Sequence, residues 1–164
     1  MGELPKRKPN RLKEYDYSQD GAYFITICVK DRQELLGEIV GDGLARPAYA
    51  NLSEYGKIVE QELNRIQFHY HDVILDQYVV MPNHVHAIVI VDAGTGRASP
   101  PPTLGNIVGG YKSGASRLCG FALWQRSYHD HIIRDEADYD RIAKYIEENP
   151  ARWKEDCFYG GAGT

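Results

Sequence analysis

Residues 72–91 read DVILDQYVVMPNHVHAIVIV, in which two apolar stretches of strand length, Asp72 to Met81 and His84 to Val91, are separated only by Pro82 and Asn83. Proline and asparagine supply turn chemistry, so the segment predicts an antiparallel hairpin of two central strands. Upstream, Ala22 to Val29 (AYFITICV) is rich in β-branched and aromatic residues and predicts another strand, with a further one around Leu36 to Val40. Gly41, Asp42 and Gly43 then mark a loop. A helix is expected from an N-cap at Ser53 to about Gln67, because Tyr55, Ile58, Val59, Leu63 and Ile66 recur at helical spacing.

Beyond the hairpin, Asp92 to Pro102 (DAGTGRASPPP) reads as a loop, since its glycines and three successive prolines exclude regular structure. A second helix is predicted from Thr103 to about Leu118, with Leu104, Ile107, Val108, Tyr111, Ala115 and Leu118 on one stripe and Gly109, Gly110 and Gly114 weakening it. A strand around Ser127 to Ile133 follows. Asp135 then caps a third helix with Tyr139, Ile142, Ala143 and Ile146 on its apolar face, and Pro150 ends it. Strands and helices mix without a regular βαβ repeat, so the fold class expected is α+β, an antiparallel sheet with helices packed against it.

A chain of 164 residues, 43% hydrophobic, supports one packed core. The organisation expected is a basic arm over residues 1–20, one domain over 21–157 and a flexible tail over 158–164, where Gly160 to Thr164 have little side chain to pack. Cys28, Cys119 and Cys157 are odd in number, far apart and free of C-x-x-C spacing, which fits a reducing compartment. No signal peptide or apolar span is read, so a cytoplasmic protein without a membrane partner is expected. The net charge of -4 argues against coating of duplex DNA by bulk electrostatics. Two basic segments stand out nonetheless: Lys6, Arg7, Lys8, Arg11 and Lys13 in the arm, and Lys112, Arg117, Arg126 and Arg134 later in the chain.

All six histidines fall in H-x-H pairs: His69 and His71, His84 and His86, His129 and His131. On a strand, side chains repeat with period two, so such a pair aims both imidazoles at one face and can chelate one ion. Strand placement discriminates among them. His84 and His86 lie in the most apolar strand, where an imidazole needs a partner or a ligand role, and two satisfied core histidines are the alternative. His69 and His71 sit at a polar corner; His129 and His131 lie on a shorter strand near Arg126 and Arg134. A third ligand should accompany any pair. Tyr145 and Asn149, four residues apart at the edge of the third helix's apolar stripe, share one face, and Asn149 stands at the helix end where the macrodipole favours a cation. They read equally as a core-edge aromatic and a helix stop.

These residues resemble a known family, the REP-associated tyrosine transposases, relatives of the small single-tyrosine HUH insertion-sequence transposases. The resemblance spans nearly the whole chain: RLKEYDYSQDGAYFITIC, YVVMPNHVHAIVIV, YKSGASR, WQRSYHDHIIRDE and YIEENPARW. M-P-N-H-V-H with W-Q and Y-I-x-x-N-P in that order carries its specificity. It implies a ferredoxin-like fold, a divalent metal, Mg or Mn, held by His84, His86 and Asn149, and Tyr145 as the nucleophile that cleaves and rejoins single-stranded DNA through a 5′-phosphotyrosine. Tyr111, with Ala115 four residues on, is the runner-up for that role. The implied partner is single-stranded or hairpin (REP-like) DNA, bound by the basic arm together with Arg117, Arg126 and Arg134, as monomer or homodimer. Trp124, Tyr128 and Trp153 are candidates for base stacking or for the core. A non-catalytic single-strand-binding protein derived from a transposase, and a small metal hydrolase using water, are the other classes.

Overall fold

The computed structural model describes residues 20–92 and 102–159. Lys6, Arg7, Lys8, Arg11 and Lys13 of the basic arm, loop residues 93–101 and Gly160 to Thr164 lie outside the described residues. The elements run β1 (Gly21–Cys28), β2 (Gly37–Val40), β3 (Tyr49–Leu52), α1 (Glu54–His69), β4 (Val73–Met81), β5 (His84–Val91), α2 (Leu104–Cys119), β6 (His129–Ile133) and α3 (Glu136–Glu148). The main sheet has the order β4-β5-β1-β6 with antiparallel neighbours, and β2 and β3 pair separately. The path β1-α1-β4-β5-α2-β6 is a split βαβ pair, the ferredoxin-like arrangement within the expected α+β class.

Each helix starts where a short oxygen-bearing side chain satisfies a free amide. Ser53 accepts from the Gly56 amide, Thr103 from Asn106 and Asp135 from Asp138. At the other end of α2, Gly120 takes the left-handed conformation that closes a helix (φ 89°), directly after Cys119.

The sheet buries two faces with different contents, as period-two alternation requires. Tyr23, Ile25 and Ile27 of β1 and Val85, Ala87, Val89 and Val91 of β5 pack against Val59, Leu63 and Ile66 of α1 and Leu104, Ile107, Val108 and Tyr111 of α2. On the opposite face Phe24, Ile88 and Ile90 meet Ile142 and Ile146 of α3. In β4 the phase changes: Val73 and Leu75 join the first face, a bulge lies between Leu75 and Tyr78, and from there Tyr78 and Val80 take that face while Val79 takes the other.

Three expectations are corrected. β4 is an edge strand rather than a central one, because β1 takes the other side of β5. The short β3 follows the Gly41 to Gly43 loop unannounced, since Tyr-Ala-Asn-Leu has no apolar run and is defined by its pairing with β2. Tyr55 and Leu118, placed on core stripes, are exposed; Tyr55 instead packs edge-on against Phe121, with ring centroids 5.2 Å apart.

The β2–β3 ribbon is joined to α1 at Gly56, where an added Cβ would lie 1.9 Å from the Leu36 carbonyl oxygen. Backbone cannot yield as a flexible side chain can. Gly56→Ala is therefore predicted to destabilise the protein by about 2 kcal/mol or more, measured as a lowered urea midpoint; an unchanged midpoint would contradict this packing.

Candidate active site

The face of β5 under α3 begins with His84 and His86, which are 0% and 1% exposed. Each ring nitrogen has a neighbour. The Asn83 amide donates through Nδ2 to the carbonyls of Arg32 (3.3 Å) and Phe158 (2.7 Å), so its Oδ1 is an acceptor and His84 Nδ1–H donates to it at 2.8 Å. That bond fixes the tautomer of His84 and leaves the Nε2 lone pair pointing at His86. Thr26 Oγ1 lies 2.8 Å from His86 Nδ1, and the two Nε2 atoms are 3.0 Å apart. The Thr26 hydroxyl can donate or accept. With the His86 proton on Nε2, the two imidazoles hydrogen-bond to one another; with it on Nδ1, donated to Thr26, two lone pairs converge and only a cation can hold them there.

Oxygen ligands stand beside the nitrogens. Asp156 Oδ2 is 3.9 Å from His84 Nε2, its side chain is 3% exposed, and its Oδ1 accepts from the Phe158 amide at 2.8 Å. Ligand atoms of His84, His86 and Asp156 all fall within 4.8 Å of one another and can hold a metal ion. Asn149, 2% exposed at the C-terminal cap of α3, has its Oδ1 buried with no hydrogen-bond partner. An orphaned buried oxygen at the negative end of a helix suits a cation. The donor set therefore fits a divalent metal, two neutral imidazoles with a carboxylate and an amide oxygen.

Electrostatics agree with ligands that stay deprotonated. Burial pushes His84 down to about 4, opposed by the Asp156 carboxylate and the Asn149 side chain. Burial, with the neighbouring His84, also holds His86 well below the ordinary imidazole value.

Tyr145 lies on α3 with its ring centroid 5.2 Å from that of His86 and 6.1 Å, edge-on, from that of Phe24. It is 40% exposed, reachable from solvent while packed against a ligand. Partial burial raises its phenol above the usual value and the Asn149 side chain offsets part of that rise. The ring borders two clefts. One, of about 410 Å³, is also lined by Phe24, Thr26, His86, His131, Arg141 and Phe158. The other, of about 290 Å³, is lined by Arg141, Lys144, Glu148, Asn149 and Arg152 besides Tyr145.

The structure thus brings His84, His86, Asn149 and Tyr145 together. Arg117 is on α2, across the sheet, where it borders a groove with Glu62 and Tyr70; Arg126 and Arg134 are exposed on either side of β6. Tyr111 is 4% exposed on the α1/α2 side and its hydroxyl donates to the Val59 carbonyl, so it cannot meet a ligand of the histidine pair. His69 and His71 are exposed at the end of α1. Trp124, Tyr128 and Trp153 are buried core residues, not stacking platforms. Phe158, expected in the tail, packs on His84 with centroids 4.5 Å apart. Asp156, Arg141, Lys144 and Arg152 were not singled out from the sequence; Asp156 is the one acidic residue of its segment that the chain, turning back after Pro150, carries under the histidines.

Two outcomes follow from this geometry. Thr26→Val removes the hydrogen-bond partner of His86 Nδ1 and should weaken Mn²⁺ binding by about 10- to 100-fold in calorimetry, with His129→Gln unchanged; equal affinities would contradict a role for Thr26 in holding His86 as a ligand. The unfolded chain protonates these imidazoles near 6.5 while the folded chain keeps His84 neutral down to about 4. Unfolded protein then binds more protons across that window, so the stabilising contribution is complete above 6.5 and is lost as pH falls toward 4. The urea midpoint of metal-free protein should drop across that window, and a flat midpoint would contradict the burial of two neutral rings.

No family model matches this sequence. A Haemophilus influenzae protein described only as uncharacterized is 35% identical over 173 residues, an alignment covering 93% of this chain and 93% of that one. Among solved structures, a REP-associated tyrosine transposase bound to a REP hairpin matches with a TM-score of 0.63 at 20% identity, over 87% of this chain and 73% of that one. The chain belongs to one family with the Haemophilus influenzae protein, and its fold is that of the REP-associated tyrosine transposase.

Proposed function

We propose that the protein is a metal-dependent single-strand DNA endonuclease and strand transferase of the HUH tyrosine transposase type, acting on DNA that carries a hairpin. The observation that carries the reading is the placement of Tyr145 against His86, whose Nε2 converges with that of His84 beside an unpartnered Asn149 oxygen. A tyrosine reachable from solvent, next to a ligand set for a cation, is what transfer of a phosphodiester to a phenol needs.

A divalent cation, when bound, supplies charge that draws in the phosphodiester and polarises its oxygens. His84, His86, Asp156 and Asn149 are the residues that would hold it. Helix α3 fixes the Tyr145 phenol beside them, so attack on phosphorus is effectively unimolecular. The Tyr145 oxygen forms the new bond to the 5′-phosphate, the bond from phosphorus to the 3′-oxygen breaks, and a free 3′-hydroxyl results. Because one ester replaces another, the reverse attack by a 3′-hydroxyl reseals a strand without ATP. Arg141, Lys144 and Arg152 border the second cleft beside Tyr145 and offer cationic contacts to the strand's phosphates, alongside Arg126, Arg134 and the basic arm. Hairpin DNA is the proposed partner because the solved transposase of the same fold was bound to one.

The test is an incubation with short oligonucleotides in which a hairpin adjoins a single strand, with Mg²⁺ or Mn²⁺, read on denaturing gels. Wild type should yield a covalent protein–DNA adduct and a 3′-hydroxyl product together. Tyr145→Phe should lose both while retaining hairpin binding and fold, since the ring volume is nearly unchanged. Tyr111→Phe should keep both products and lose about 1 kcal/mol of stability with its buried hydrogen bond to Val59. Normal cleavage by Tyr145→Phe would overturn the proposal.

A further inference from the structure

Transfer of the phenol to phosphorus releases a proton, and the ligand set has nowhere to put it. As metal ligands, His84 and His86 have their Nε2 lone pairs occupied, Asn149 carries an amide, and the Asp156 carboxylate is itself a ligand that already accepts from the Phe158 amide. Of the side chains lining the cleft that holds Tyr145 and His86, Phe24, Ile142 and Phe158 are apolar, Thr26 is engaged by His86 and Arg141 is a permanent cation. His131 is what remains in this cleft, and in the neighbouring one the Glu148 carboxylate is paired with Lys144 and Arg152.

His131 sits on the edge strand β6 directly opposite Phe24, the residue whose ring lies over His86 and edge-on to Tyr145. It is half-exposed, and its Nε2–H donates to Asp138 Oδ2 at 2.7 Å. Asp138 is itself anchored: its backbone amide is the one capped by Asp135, and its other oxygen pairs with Arg141. The His131 hydrogen bond, with Arg141 behind it, keeps the Asp138 carboxyl below its usual range, so it stays an acceptor. In the neutral ring this leaves the Nδ1 of His131 with its lone pair, on an imidazole oriented by a carboxylate. The groups facing it are Asp138, Arg141 and Tyr145 from α3, Phe24 and Thr26 from β1, and His129 along its own strand. The cleft that Tyr145 borders is therefore lined both by His86 of the ligand set and by His131 of a histidine–aspartate pair.

We propose that His131 is the general base of strand cleavage, with Asp138 as its positioning residue; this rests on the function proposed for Tyr145. The Tyr145 O–H passes its proton to His131 Nδ1, directly or through one water, as the phenolic oxygen bonds to phosphorus. The 3′-oxygen leaves with the electron pair of its bond and takes a proton from solvent. In resealing, His131 returns the proton to the departing Tyr145 oxygen.

The experiment is single-turnover cleavage of the hairpin oligonucleotide by full-length protein with saturating Mn²⁺, across pH 5.5 to 9. His131→Gln should lower the rate at pH 7 by about 10²-fold or more, while Mn²⁺ affinity and hairpin affinity stay at wild-type values and His129→Gln cleaves normally. The two rate–pH profiles should differ in shape, because only the wild type has a side-chain base at this position, and His131→Gln should rise steadily with pH as hydroxide replaces it. Added imidazole should restore part of the rate to His131→Ala, since the position is open to solvent. A His131→Gln rate within about threefold of wild type, or a rate–pH profile of the same shape, would overturn the role of His131 while leaving a Tyr145 adduct standing. Absence of any adduct in wild type would overturn the proposed function and this inference with it.

Discussion

An imidazole sealed from water must have both nitrogens accounted for, and in strand β5 this constraint falls on two rings at once. Leaving either nitrogen unpaired would cost about 1–3 kcal/mol in such a setting. The residues that meet the demand come from separate parts of the chain. Asn83 in the hairpin turn fixes one proton of His84, Thr26 on the neighbouring strand serves His86, and the two inward nitrogens are left to each other. Asn83 is in turn held by carbonyls of Arg32 and Phe158, and Arg32 is one of two successive residues, with Asp31, in the left-handed region. The turn after β1 and the C-terminal segment are thereby tied to the tautomer of one histidine.

The two faces of the sheet divide the work. Against α1 and α2 the strands present a nearly all-apolar surface and build the larger core. Against α3 the apolar contact is a small cluster around Ile88, Ile142 and Ile146, and the space it leaves toward the start of β5 is given to polar side chains. A helix packed on so few residues can place Tyr145 partly in solvent without exposing the main core. The same economy puts Arg141, Lys144 and Arg152 at the protein's surface next to Asn149, so a net charge of -4 coexists with a locally cationic border around the tyrosine.

Elements with strong local chemistry were legible from residues alone. Ser53, Thr103 and Asp135 cap helices as their types suggest, and Pro82 and Asn83 turn the hairpin. The choice of His84 and His86 over the other two pairs follows from strand apolarity, and their burial agrees with it. What depended on non-local contact was not legible. β3 exists through pairing with β2, the edge position of β4 is decided by β1, and Asp156 reaches His84 through a reversal of the chain after Pro150. Likewise, nothing in the sequence pattern joins His131 to Asp138, because that bond spans the end of a strand and the first turn of a helix. Tyr55 and Leu118 show the limit of periodicity, since a residue on the edge of a stripe is exposed wherever no neighbouring element covers it.

Peptide mapping of a covalent adduct is the most direct measurement of the central claim, that the tyrosine beside the buried histidine pair carries the DNA. Wild-type protein is incubated with hairpin-bearing single-stranded DNA and Mn²⁺, digested with nuclease and protease, and analysed by mass spectrometry. The nucleotide mass should reside on the peptide containing Tyr145 and be absent when the metal is chelated. The same mass on Tyr111 or another residue, or its formation at an equal rate without divalent metal, would contradict the account.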